Sequence, residues 1–314
     1  MNSRKRAWLA LNHIPGAGAV ALRRLVSRFE SPEAALEAPA DELIGVGSLT
    51  LEQAREVHRV AADPARFERL AQDLRRSGAS VLTIEDDEYP TNLRLLRDAP
   101  PLLYVRGSLL AQDQAAVAIV GTRTPSGAGE VAAQAIGKVL ASHEVTVVSG
   151  LARGIDGAAH RGALAAGRTI AVLGSGIDRV TPKQHRGLAE RIVRCGALLS
   201  EIPPHARASR ESLLARNRIQ AGLARAVVVI QCGTRGGSFA TARRALQAGR
   251  PVFAVCWEEP EFAAGVERLC EMGAQAVTAG EAADLAAECA LAPAPAAPQP
   301  QMAFDDTCEP GLGD

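Results

Sequence analysis

The chain has 314 residues, 47% of them apolar and 22% charged with zero net charge, material for about two globular domains at roughly 150 residues each. No run nears the ~18 uninterrupted apolar residues of a membrane span, and the Met1–Arg6 start carries no signal-peptide cleavage site, so the expectation is a cytoplasmic protein without membrane contact. Six cysteines without a C-x-x-C pair or a histidine at ligand spacing argue against a disulfide framework and a zinc finger, and neither metal nor cofactor is expected.

Residues 1–75 read as a small all-helical domain. Apolar spacing predicts helices over 7–11, 19–29, 31–38, 40–44 and 50–74, the last broken at Pro64. Two glycine hairpins, Ile14–Gly18 and Ile44–Ser48, separate them in a pattern that resembles helix-hairpin-helix or SAM-like modules. Residues 76–112 read as a connector packing on the next domain, with extended pieces over 80–84 and 102–106 around an acidic patch at 85–88.

From residue 113 to 290 the period becomes strand, glycine turn, helix. Short apolar runs at 117–120, 145–149, 169–173, 197–199, 226–230, 252–255 and 274–277 alternate with helices over 126–141, 155–166, 184–194, 211–223, 238–248 and 262–272. Continuous apolar strands separated by helices predict an α/β fold, a Rossmann-like doubly wound parallel sheet covered on both faces. Ligands in such sheets sit beyond the strands' carboxyl ends. Residues 291–314, a proline- and alanine-rich linker with an acidic end, are expected to be disordered.

Charge is segregated along the chain. Residues 117–250 hold 19 basic against 7 acidic side chains, whereas residues 251–314 hold 1 against 12. The basic middle points to a phosphate-bearing ligand. Only Phe239 is aromatic between 117 and 250, so a nucleic acid there would be held through phosphates more than by base stacking.

The loops at the ligand edge carry the candidate site. The first strand runs into Gly121-Thr122-Arg123, where glycine admits a close ligand and arginine adds fixed charge. The second ends in Ser149-Gly150 and turns through Arg153-Gly154 to Asp156, read as a capping carboxylate, with His160 one helical turn on and without a special role. Lys183 follows the third strand. Arg216-Asn217-Arg218 lies on a helix, where positions two apart diverge by roughly 200°, so one arginine is free to bind acidic neighbours. The loop 232–238 presents Arg235, Gly237 and the capping Ser238. No G-x-G-x-x-G fingerprint is present. The phosphate-loop spacing at 162–169 follows a helix and precedes a strand, the reverse of that motif's context, and places Arg168 at the wrong end of the sheet.

Together, Val117–Arg123, Val148–Asp156 with Ala159-His160, Thr169–Asp178, Leu199–Glu201, Arg216–Ile219 with Gly222-Leu223, and Gly237-Ser238 resemble the DNA-processing protein A family (DprA, also called Smf) over about residues 80–280. The resemblance implies a Rossmann-like core that dimerises, binds single-stranded DNA in a basic pocket, and loads the recombinase RecA during natural transformation, with no catalytic residue. It makes Arg123, the Gly150–Gly154 turn with Arg153, and Arg216-Asn217 pocket candidates, with Lys183 beside them. The chain departs from the family pattern at Thr181-Pro182, at Leu213-Leu214-Ala215 and at Cys256-Trp257, has Gln231 or Cys232 where a glutamate is common, and leaves too little after residue 290 for a winged helix.

Two other readings compete. A Rossmann-like enzyme or sensor of nucleotides, akin to lysine-decarboxylase-like nucleotide hydrolases, would need an acidic pair near the 233–237 loop, where only Glu211 and Glu201 are at hand. A scaffold recognised through the helical module and acidic tail is the third.

Overall fold

A computed structural model describes residues 1–47 and 49–293. Six helices come first: α1 (Ser3–Leu11), α2 (Ala19–Phe29), α3 (Pro32–Glu37), α4 (Ala40–Gly47), α5 (Leu51–Ala61) and α6 (Pro64–Arg76). Their starts are set locally. Asn2, Ser31, Thr50 and Asp63 each accept a hydrogen bond from the amide three residues on, and Pro32 and Pro64 open α3 and α6. Apolar faces meet around Trp8, Leu25, Leu43, Val57 and Phe67. The expected hairpin at Ile44–Ser48 is corrected: α4 continues through Gly45 to Gly47.

A single nine-stranded sheet follows, built from β1 (Ala79–Thr83), β2 (Leu102–Gly107), β3 (Ala116–Gly121), β4 (Thr146–Ser149), β5 (Thr169–Val172), β6 (Ala197–Ser200), β7 (Ala226–Ile230), β8 (Val252–Val255) and β9 (Gln275–Val277). The spatial order is β1-β2-β6-β5-β4-β3-β7-β8-β9. β3 to β9 run parallel, as the apolar runs predict. The extended pieces of residues 76–112 are strands of this same sheet, β2 pairing antiparallel with β6 through Tyr104 opposite Ser200.

The helices of this half are α7 (Thr91–Arg94), α8 (Gly127–Ser142), α9 (Ile155–Ala163), α10 (Arg186–Cys195), α11 (Arg210–Ala215), α12 (Asn217–Leu223), α13 (Gly237–Gln247), α14 (Pro260–Cys270) and α15 (Glu281–Leu291). Alternation along each strand feeds two cores. Val117 and Ile119 pack with the apolar residues of α8, α9 and α15, whereas Ala118 and Val120 pack with those of α12, α13 and α14. The single helix expected over 211–223 is two, meeting at Arg216. Of the expected disordered tail, residues 294–314 lie outside the described residues.

Candidate nucleic-acid interface

β3 and β7 lie side by side, with Gly121 opposite Ile230, and their chains leave for opposite faces of the sheet, β3 into α8 and β7 into α13. Divergence of this kind opens a crevice at the carboxyl ends, the switch point of a doubly wound sheet. Here the crevice is a cavity of about 750 Å³. Its walls are the β3 turn from Val120 to Arg123, the approach to α11 from Ala208 to Arg210, and the β7 loop with Gly233, Arg235, Gly236 and Gly237.

The floor is a buried polar network. Arg216, 5% exposed, donates from Nη1 to Val172 O at 3.0 Å and holds Nη2 3.8 Å from Asp156 Oδ2. Its Nε has no partner among the described residues. Gln220, its amide oriented to suit its neighbours, accepts from Gly150 N at 2.8 Å and from Arg216 Nη1 at 3.2 Å, and donates to Asn217 Oδ1 at 3.2 Å. Asp156 accepts from Gly150 N at 3.2 Å and Ala152 N at 3.3 Å, so its carboxylate caps the β4 turn. Burial pushes that carboxyl up, opposed by Arg216 and by the two amides. Glycine is required at 150 because a Cβ there would overlap the Arg216 guanidinium.

The rim is cationic. Arg123, Arg210 and Arg235 are exposed lining residues, and among the described residues none pairs with a carboxylate. The helix starts at this edge differ in what they leave free: Ser209 caps α11, and at α9 the Ile155 and Gly157 amides donate to the Thr122 and Ala152 carbonyls. At α8, Gln231 closes the terminus: its Oε1 accepts from Ser126 N at 2.9 Å and its Nε2 donates to Ser126 Oγ at 2.6 Å, while Ser126 Oγ caps Gly129 N. At α13 the turn residue Gly236 sits at φ 114° with no side-chain cap, and Gly237 and Ser238 line the cavity. The open helix start beside the arginines is therefore that of α13.

Of the candidates read from sequence, Gly121, Thr122, Arg123, Arg216, Asn217, Gly237 and Ser238 come together around the cavity. Gly150 lies beneath it, and Gly154, at φ 73°, opens α9 against the Thr122 carbonyl. Ser149 is corrected to a buried structural residue, its hydroxyl donating to Ile119 O at 2.6 Å. Arg153, on a turn, and Lys183, opening a short 3-10 helix, are exposed outside the lining. Arg218 is corrected as well: it faces away from the cavity, 7% exposed, with Nη1 and Nη2 on the Glu201 carboxylate at 2.5 and 2.6 Å and Nε donating to Asp98 O at 2.9 Å. Arg210 and Ser209, absent from the candidates above, also line the cavity; their signal in the sequence is Arg207 and Arg210 just ahead of the Arg216-Asn217 helix. Arg168 pairs with Asp113 at 2.6 Å near the amino ends of the strands, and His160 is buried with Nδ1 donating to Thr169 Oγ1 at 2.7 Å.

Fold and cavity together define a Rossmann-like protein with an arginine-rimmed cavity at its switch point. Residues 80–289 match the model of the DNA recombination-mediator protein A family, and the chain belongs to that family. It is 37% identical to protein Smf of Synechocystis over 262 residues, covering 81% of this chain and 65% of that protein. It is 36% identical to the putative DNA processing protein DprA of Mycobacterium tuberculosis over 288 residues, covering 87% of this chain and 72% of that protein. Among solved structures, DprA of Streptococcus pneumoniae superposes with a TM-score of 0.76 at 30% identity, over 89% of this chain and 97% of the other. DprA of Helicobacter pylori, described for its single-stranded DNA binding mode, superposes at 0.59 and 27% identity over 66% of this chain and 94% of the other. Among the described residues no helix is long and apolar enough to cross a membrane.

Proposed function

We propose that this chain is a cytoplasmic mediator that holds single-stranded DNA by its sugar-phosphate backbone in the switch-point cavity. It protects that strand and delivers it to the recombinase RecA during natural transformation, acting as a homodimer and catalysing no reaction. The observation that carries this reading is the ring of Arg123, Arg210 and Arg235, without carboxylate partners among the described residues, set over buried Arg216 and beside the uncapped start of α13. Unpaired arginines attract phosphates and release their counterions, which drives binding without reading sequence. Among the described residues no aromatic ring lines the cavity, which favours backbone contact over base stacking. The single-stranded DNA binding mode described for the Helicobacter relative supports the same ligand.

The nucleotide-hydrolase reading has less support. Among the described residues the cavity's one carboxylate is Asp156, already engaged by two amides and facing Arg216, while Glu201 is engaged by Arg218. The test is fluorescence anisotropy of a labelled strand, single and duplex, with wild type and Arg123→Glu. Wild type is expected to prefer the single strand, and the charge reversal to weaken it by about tenfold or more. Equal affinity for duplex, or an Arg123→Glu variant that binds like wild type, overturns the proposal.

A further inference from the structure

A second basic cleft, of about 470 Å³, lies on the other side of α12 and α13 from the first. The two cavities share these helices. Asn217 and Gln220 of α12 face the first and Ala221 the second; Gly237 and Thr241 of α13 face the first, Arg244 and Gln247 the second. α13, about 16 Å long at 1.5 Å per residue, thus runs from one cavity to the other. Between them its exposed side carries Arg243 and Arg244 and no acid.

The charge in this region exceeds what the fold uses. From residue 212 to 250 the sequence holds seven arginines and no aspartate or glutamate. In the second cleft the lining carboxylate is Asp98, 3.6 Å from Arg218 Nε and 3.5 Å from Arg244 Nη1. Arg97 is exposed and pairs with no carboxylate among the described residues. Arg250 donates from Nη2 to Asn92 O at 3.1 Å, but its buried Nε has no partner among the described residues. Leu95, 60% exposed at the same cleft, offers an apolar surface beside these charges on which a sugar or base can rest. Arg97 and Arg250 without carboxylates among the described residues, Arg244 sharing its one carboxylate with Arg218, an unpartnered guanidinium nitrogen and an adjacent apolar ledge together suit a nucleotide unit.

We propose that a strand seated in the switch-point cavity continues across α13 and places its next phosphates in this second cleft. The inference rests on the proposed function and extends it, because it makes the site longer than one cavity and gives the strand a direction over the molecule.

The experiment compares labelled oligothymidine of about 6 nucleotides, near the short end of single-strand site sizes, with one roughly four times longer, on wild type and on the double variant Arg97→Gln, Arg244→Gln. Neither residue lines the first cavity. The short strand is expected to bind both proteins within about twofold, which also certifies the variant's fold. At 0.1 M salt the long strand is expected to lose about 25-fold in the variant, the counterion-release value for two phosphate contacts at about 0.7 each. An unchanged long-strand affinity, or an equal loss on both lengths, overturns the second cleft while leaving the first cavity standing. A wild type that binds neither length overturns both readings.

Discussion

Arg216 and Arg218 stand two positions apart in the sequence and face different surroundings. Arg216 turns to the cavity floor, where its guanidinium occupies the space that glycine leaves at 150. Arg218 turns away, and although burial opposes its charge, Glu201 and Asp98 hold its pKa above the ordinary value. Angular position along the helix separates a ligand-facing charge from a structural one. His160 carries a different consequence. The Thr169 hydroxyl donates to Val147 O at 2.7 Å, so His160 Nδ1 is the donor to that hydroxyl and Nε2 is left without a partner among the described residues. Burial, with His185, Arg216 and Arg161 nearby, pushes its pKa down to about 3. With the unfolded value near 6.5, the unfolded chain binds the extra proton between the two, so stability is lost as pH falls through that window. Urea unfolding of wild type is therefore expected to lose about 2 kcal/mol more than His160→Gln between pH 7 and pH 5. The same loss in both proteins contradicts a neutral buried imidazole.

At the scale of elements, the hydrogen-bonded link between the end of β7 and the start of α8 decides which helix start is left open. In many doubly wound sheets the phosphate lies at the helix start after the first strand. Gln231 fills that position here and ties the end of β7 to Ser126, leaving the start of α13 as the open one. Gln231→Ala is expected to cost about 1–3 kcal/mol in urea unfolding, by stranding the Ser126 amide, and to leave strand binding unchanged because Gln231 does not line the cavity. A binding loss without a stability loss contradicts this division of labour.

Short apolar runs between glycine turns made the inner parallel strands legible, since a strand buried on both faces needs nothing else; the edge strand β9, with Gln275 and Ala276 exposed, carries a weaker signal. Long-range and rotational facts were not legible. Tyr104 meets Ser200 through a pairing almost a hundred residues away, which no local pattern encodes. Propensity alone makes Gly45 a turn residue, because it cannot show the packing that keeps α4 helical around Leu43. The loops of the site were found from strand polarity, but whether a side chain faces in or out was not: Ser149 turns to Ile119 O, and Arg153 and Lys183 turn to solvent outside the cavity.

For the whole molecule, zero net charge conceals a basic core beside an acidic carboxyl-terminal stretch. The basic middle contains the switch-point cavity, the outer side of α13 and one wall of the second cleft, so the field that draws in a polyanion is centred where the geometry can hold one. The central claim is that the ligand is gripped by its phosphates. Its most direct test is the salt dependence of single-strand affinity. Three to five arginine contacts at about 0.7 each predict a fall of roughly 20-fold to 100-fold between 50 and 200 mM salt, with a shallower slope when Arg123 or Arg235 is neutralised. An affinity that stays flat across that range contradicts the account.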